Sequence, residues 1–259
     1  MHKVLLLILS IVSLSSAHAE DTDLAALFDK EGLNGTIVIA SLDGSREFIH
    51  NDARANTRLA VASTFKIFNS LIALEEGVVT KDEVLLWDGT MYEAFPDWNR
   101  NHTLASAFKA SCVWCYQELA RRVGAQKYPP YIKQAAYGVL REPFEGTTFW
   151  LDGSLTISAK EQIEFLRKVI GRSLPFKPST YETLREIMVM EKTPEYTIRA
   201  KTGWAVRVSP QVGWYVGYVE AANNEVWVFA TNIEMRSEKD LPLRQQLTKA
   251  SLQVKGIIK

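Results

Sequence analysis

Ser63 and Lys66 stand three residues apart in Ser63-Thr64-Phe65-Lys66, at the start of a stretch with helical spacing. Residues three apart on a helix share a face one turn apart. An amine placed there can reach the serine oxygen and take its proton, which is what a nucleophilic hydroxyl needs. A serine at a helix start also faces free backbone N–H groups, which favour developing negative charge. Alone, the pattern is weak, because a capping serine followed by a surface lysine explains most such matches. Ordered companions change that. Ser111-Cys112-Val113 follows, then Lys201-Thr202-Gly203 with Trp204 at the end of a β-rich run, then Arg244. Gly203 lets backbone approach a ligand closely, Lys201 adds a positive charge, and the planar fork of Arg244 suits a carboxylate.

The elements that must position these groups can be read from hydropathy and turn signals. Gly35–Ala40 and Arg46–Ile49 flank Asp43-Gly44 and read as an antiparallel hairpin. From Ser63 the apolar residues Phe65, Phe68, Leu71 and Ile72 define one helical face, with Gly77 as the stop. Further helices are expected at Thr103–Ser111, Trp114–Val123, from the capping box Ser158-Ala159-Lys160-Glu161 to Ile170, at Ser179–Met190 and at Leu243–Val254. Strands are expected at Tyr196–Lys201, Val212–Glu220 and Val226–Asn232. Strands at both chain ends with helices between predict an α+β fold: one antiparallel sheet flanked by helices, with a helical lobe over roughly 60–180 inserted.

Composition narrows the chemistry. Thirty basic residues balance thirty acidic ones without long runs of either sign, so neither nucleic acid nor an anionic membrane is expected as a partner. A small-molecule substrate fits better, and an oligomer is left open. Met1-His2-Lys3, the apolar run Val4–Leu14 and the small-x-small end at Ala19 read as a cleaved secretory signal over residues 1–19. The apolar run is well short of the ~20 residues a spanning helix requires, so no membrane anchor is expected. Export to the periplasm follows, with residues 20–259 as the catalytic domain. After the signal only His50 and His102 remain, without metal-ligand spacing, so catalytic zinc is not expected and a serine–histidine–aspartate triad is disfavoured. Cys112 and Cys115 read as two small buried side chains or as one local disulfide.

The ordered set Ser63-Thr64-Phe65-Lys66, Ser111-Cys112-Val113 and Lys201-Thr202-Gly203 resembles the three signature motifs of the class D serine β-lactamases, the oxacillinase type. Trp87-Asp88-Gly89, Trp98-Asn99-Arg100, Phe149-Trp150-Leu151-Asp152-Gly153, Gly213-Trp214 with Gly217, and Leu243-Arg244 extend the resemblance over most of the chain. It implies the serine β-lactamase and penicillin-binding-protein fold, and hydrolysis of penicillin-type antibiotics, hence resistance. Ser63 would be the acylated nucleophile, the backbone N–H groups of Ser63 and Trp204 the oxyanion hole, and Ser111 the proton relay to the leaving nitrogen. Lys201, Thr202, Gly203 and Arg244 would hold the substrate carboxylate.

The resemblance also implies that Lys66 reacts with carbon dioxide, giving an N-carboxylated side chain that serves as general base. Trp150 would donate its indole N–H to that group, and Phe65 and Val113 would keep the pocket dry. No metal is implied. A free lysine has only about one amine in a thousand neutral near pH ~7.4, so burial must depress its pKa. The alternatives are a β-lactam sensor that stays acylated and a D-alanyl-D-alanine peptidase. Two positions depart from the family pattern: Val139 replaces an asparagine after Tyr137-Gly138, and Asn101 stands where aspartate is common. The run Lys201–Pro210, with Arg207 in a short connection, resembles the carbapenem-hydrolysing branch. Trp98 and Trp214 read as packing residues, Trp204 as functional through its backbone, and Glu118, Glu161 and Glu164 as helix-surface charges.

Overall fold

The computed structural model describes residues 19–259, so the expected signal, save Ala19, lies outside the described residues. In chain order the elements are α1 (Thr22–Glu31), β1 (Gly35–Ser41), β2 (Glu47–His50), α2 (Asp52–Ala55), β3 (Leu59–Ala60), a 3₁₀ turn Ala62–Phe65, and α3 (Lys66–Glu75). Then come α4 (Leu104–Lys109), α5 (Val113–Val123), α6 (Tyr128–Ala135), β4 (Val139–Leu140), β5 (Leu155–Ile157), α7 (Ala159–Ile170) and α8 (Pro178–Ile187). The chain ends with β6 (Val189–Lys192), β7 (Tyr196–Ala205), β8 (Val212–Ala221), β9 (Val226–Glu234) and α9 (Leu243–Val254).

Both chain ends contribute to one antiparallel sheet of order β2-β1-β9-β8-β7-β6. Period-2 alternation explains its two covered faces. Ile37 and Ile39 of β1 join Leu24, Phe28, Phe229, Leu247 and Leu252 under α1 and α9. Val38 and Ala40 pack with Phe68, Val216, Val228 and Ala230 against the helical lobe. This is the expected α+β arrangement of a sheet between helices with a helical insertion.

Helix α3 runs through the middle of that lobe, and every residue from Lys66 to Ala73 is buried. A helix apolar on most of its circumference belongs in a core, but Lys66, Asn69 and Ser70 are buried with it and need partners. Tyr128 Oη donates to Asn69 Oδ1 at 2.8 Å, and Ser70 Oγ donates to the Lys66 carbonyl at 2.7 Å. The expected capping box is present on α7, where Ser158 and Glu161 satisfy each other's backbone N–H groups.

Three expectations need correction. The helix expected to run to Met190 ends at Ile187, and Val189–Lys192 becomes an edge strand. Pairing with the long β7 supplies hydrogen bonds that a further helical turn would forgo. The strand expected at Tyr196–Lys201 continues to Ala205, so Lys201-Thr202-Gly203 lies inside β7 and not at its end. The first lobe helix does not begin at Ser63: the serine is the second residue of the 3₁₀ turn, and α3 starts at Lys66.

Candidate active site

The nucleophile turn is held from three directions. Trp214 Nε1 on β8 donates to the Ala60 carbonyl at 2.9 Å, Val61 N donates to the Leu155 carbonyl on β5 at 3.3 Å, and Gln162 Nε2 on α7 donates to Thr64 Oγ1 at 3.0 Å. Ala62, directly before Ser63, sits at φ 48°, a left-handed conformation that costs a residue with a Cβ free energy. Those surrounding bonds keep it there, and Ser63 is thereby presented at the floor of a cleft of about 450 Å³.

The buried amine lies behind it. Lys66 Nζ donates to Ser63 Oγ at 2.7 Å, while the lysine itself is 0% exposed. Taking an ammonium out of water disfavours its charged form, and burial pulls the Lys66 pKa from 10.5 to about 7. The Tyr116 ring lies 5.2 Å below the nitrogen. Phe65 stacks on Trp150 with ring centroids 5.8 Å apart, and both are fully buried. The Trp150 indole nitrogen is buried with no hydrogen-bond partner among the described residues.

β7 forms the facing wall. A Cβ on Gly203 would stand 3.0 Å from Thr64 Cγ2 and 3.3 Å from Thr64 N, so any side chain here would require the strand or the nucleophile turn to give by a few tenths of an ångström. Trp204 follows it on the cleft wall, with its indole nitrogen turned to Gln211 Oε1 at 3.1 Å. Lys201 Nζ donates to the Thr202 carbonyl at 3.0 Å and approaches Thr202 Oγ1 at 3.3 Å. Burial first, then the positive charges of Lys66 and Arg244, push the Lys201 pKa well below the lysine range. Arg244 reaches in from α9, donating from Nη1 to the Gly203 carbonyl at 2.6 Å and from Nε to the Leu241 carbonyl at 2.7 Å. Its stem crosses Gly213, where a Cβ would come within 2.7 Å of Arg244 Cδ. Burial lowers its pKa to about 10.

Of the residues predicted for the site, Ser63, Ser111, Val113, Thr202, Gly203, Trp204 and Arg244 line this one cleft, whereas Lys66, Lys201, Phe65 and Trp150 lie buried beneath its surface. Ser111 occupies a left-handed position, φ 53°, between α4 and α5. Cys112 and Cys115 form a disulfide, deciding between the two readings left open. Tyr92, Phe95 and Trp98 form an apolar wall not foreseen as part of the site. Trp98 stacks on Phe95 at 4.2 Å, so its packing and its place on the cleft are the same fact. Only the Trp98-Asn99-Arg100 motif match pointed there. Asn101 is structural: its Oδ1 accepts from Trp87 N at 2.9 Å. Val139 lies 45% exposed on β4 and does not line the cleft. Glu118, Glu161 and Glu164 are held in ion pairs with nearby arginines.

A serine next to a buried, neutralisable lysine, walled by a strand that ends its approach in glycine, defines a serine acyl-transfer protein of the penicillin-binding type. Correspondingly, the family of penicillin-binding-protein transpeptidase domains matches residues 28–253. β-Lactamase OXA-48 of Klebsiella pneumoniae is 42% identical over 237 residues, covering 90% of this chain and 88% of that one. The class D β-lactamase YbXI from Nostoc superposes with a TM-score of 0.86 at 43% identity, over 90% of this chain and 98% of the other. The regulatory protein BlaR1 of Bacillus licheniformis is 34% identical over 94% of this chain, which corresponds to only 40% of that protein. The chain belongs to the class D β-lactamases.

Proposed function

We propose that this chain hydrolyses the amide of β-lactam antibiotics through an acyl-enzyme on Ser63, and so confers resistance. The observation that carries the reading is the 2.7 Å approach of a fully buried Lys66 amine to Ser63 Oγ. At a pKa of about 7, roughly seven amines in ten are neutral near pH ~7.4, against about one in a thousand for a free lysine. A neutral amine is the form of Lys66 that carbon dioxide can carboxylate, and the resulting carboxylate would be the general base that takes the hydroxyl proton as Oγ attacks the ring carbonyl. The oxygen that becomes an anion is met by the backbone N–H groups of Ser63 and Trp204, each such donor being worth about 3 kcal/mol. Ser111 delivers a proton to the departing ring nitrogen, and Lys201, Thr202 and Arg244 hold the substrate carboxylate.

Carbon dioxide is the one added group the family implies, and the residues present fit it. A neutral amine is the form that can be carboxylated, and the unpartnered, buried Trp150 N–H is a donor in need of an acceptor. N-carboxylated Lys66 would supply a carboxylate base, with two acceptor oxygens where the amine has a single lone pair. Phe65 and Trp150 keep water from the lysine, and Val113, on the cleft wall, offers it no hydrogen bond. Residues 1–19 act as the export signal and the mature enzyme works in the periplasm. Val206 and Arg207 of the β7–β8 connection also border the cleft, in keeping with carbapenem hydrolysis, which measurable turnover of imipenem would test.

The match to BlaR1 favours a second reading, a sensor that is acylated and stays so. Nitrocefin in large excess separates the two. Many turnovers per chain, falling on bicarbonate depletion and recovering on resupply, are expected. A single stoichiometric burst would assign the sensor role instead, or that of a slow peptidase.

A further inference from the structure

Beside the reacting groups, three potential metal ligands meet in the helical lobe. One ring nitrogen of His102 and the sulfurs of Cys112 and Cys115 lie within 4.8 Å of one another, and all three residues are buried. In the structure the two sulfurs are joined as a disulfide. Before oxidation, or after a two-electron reductant such as a phosphine or dithiol has opened the bond, the same sulfurs are thiols.

Each ligand is prepared for a cation. Cys112 is the N-cap of α5, and its sulfur accepts from Cys115 N at 3.2 Å. A helix N-terminus and a C-x-x-C spacing both stabilise a thiolate, the form that binds metal. His102 Nε2 lies 3.0 Å from the Asp97 carbonyl, which can only accept, so the proton is on Nε2 and the lone pair on Nδ1. A backbone carbonyl holding the far N–H is how ligating histidines are oriented. Nδ1 now meets Ser106 Oγ at 3.0 Å, but that hydroxyl has a second acceptor in the Thr103 carbonyl at 3.2 Å. Releasing Nδ1 to a metal therefore strands no donor. The histidine is fixed by two main-chain hydrogen bonds to Leu85, at 2.7 and 3.0 Å, and by a T-shaped contact with the Trp114 ring at 6.0 Å between centroids.

We propose that the dithiol form of this chain binds a thiophilic divalent cation, such as zinc, through Cys112, Cys115 and His102, and that filling the site displaces Ser111. On binding, each thiol loses its proton to solvent as a sulfur–metal bond forms, and no electrons move. A tetrahedral zinc sets its sulfurs about 3.8 Å apart and nitrogen about 3.5 Å from sulfur, from bonds of ~2.3 and ~2.0 Å. The sulfurs must therefore spread from a covalent bond. Cys112 is joined to Ser111, which already sits at φ 53°, and to Val113, and both border the cleft. Spreading the sulfurs moves the segment that carries the proton relay. The coupling rests on the β-lactamase reading above, whereas the cation site does not.

Cobalt(II) is the probe, added to the full-length protein reduced with a phosphine under anaerobic conditions and, in parallel, to the oxidised protein. Expected is one cobalt per reduced chain with thiolate-to-cobalt charge-transfer absorption, none in the oxidised chain, and binding about tenfold weaker or more in His102→Gln. Nitrocefin turnover should fall about tenfold or more on cobalt addition to the reduced protein alone. A reduced chain that gives no thiolate–cobalt absorption, whether folded or unfolded by reduction, overturns the site, as does uptake that His102→Gln leaves unchanged. Full uptake with unaltered turnover overturns the link to Ser111. Absence of turnover in both protein forms before cobalt is added would instead refute the enzymatic reading.

Discussion

Replacing Lys66 by methionine tests the electrostatic core of the site, because it removes the amine and keeps an unbranched chain of similar length. The folded lysine titrates near about 7 and the unfolded one near 10.5. A lowered lysine pKa means that the unfolded state binds more protons between these values, so native stability rises with pH across that window. Below it the fold carries the whole cost of a buried ammonium, ~5 kcal/mol, and above it none. From about pH 6 to about pH 9 the wild type should recover roughly 3 kcal/mol relative to Lys66→Met. Lys201 reinforces the trend, since losing Lys66 removes one of the charges that depress it. The lost bond to Ser63 and any packing defect are the same at both pH values and drop out of the comparison. Urea midpoints of both proteins in carbon-dioxide-free buffer measure it. Parallel pH curves for wild type and variant would refute a lysine whose burial is costly, and with it the account of how Ser63 is activated.

Three other outcomes follow from the geometry. Trp150→Phe removes the unpartnered N–H together with part of a fully buried ring, so stability should fall by about 1–3 kcal/mol with or without bicarbonate, while bicarbonate should no longer raise nitrocefin turnover. Gly203→Ala puts a Cβ 3.0 Å from Thr64, so β7 and the nucleophile turn must part by a few tenths of an ångström, and kcat should fall about tenfold or more with a smaller effect on thermal stability. Gly138→Ala places a Cβ 2.0 Å from the Thr156 carbonyl at a φ of 63° and should cost more than about 3 kcal/mol by urea unfolding, the backbone there having no room to give.

The sequence disclosed the site more fully than the frame around it. Residues whose chemistry is local, such as Ser63 with Lys66 one turn on, or the capping box Ser158–Glu161, declare themselves by spacing alone. Ser111 and Arg244 were legible only as members of an ordered set, since nothing in their neighbours says that they meet across a cleft. The short strands β3, β4 and β5 escaped notice because two or three residues carry no readable alternation, and long-range pairing alone makes them strands. The edge strand Val189–Lys192 was masked by helical propensity that pairing with β7 overrides. The wall of Tyr92, Phe95 and Trp98 shows why aromatic residues mislead: the faces that pack on one another also line the substrate space.

Lys66, Lys201 and Arg244 form a group of basic side chains that are at most 8% exposed. Burial depresses all three pKa values, Lys66 and Arg244 add to the effect on Lys201, and no carboxylate enters among the causes. A fold normally pairs buried charge, because unpaired charge away from water costs several kcal/mol. Here the cost is held in place by Gly203 and Gly213, whose missing side chains let the nucleophile turn and the Arg244 stem come so close. Such a site is complementary to anions it does not itself contain. On the proposed mechanism, a substrate carboxylate near Arg244 and Lys201, an oxyanion beside Ser63 and a carboxylated Lys66 would each relieve part of the same imbalance. The free energy withheld from folding would then be recovered on binding and in the transition state, where it would accelerate the reaction.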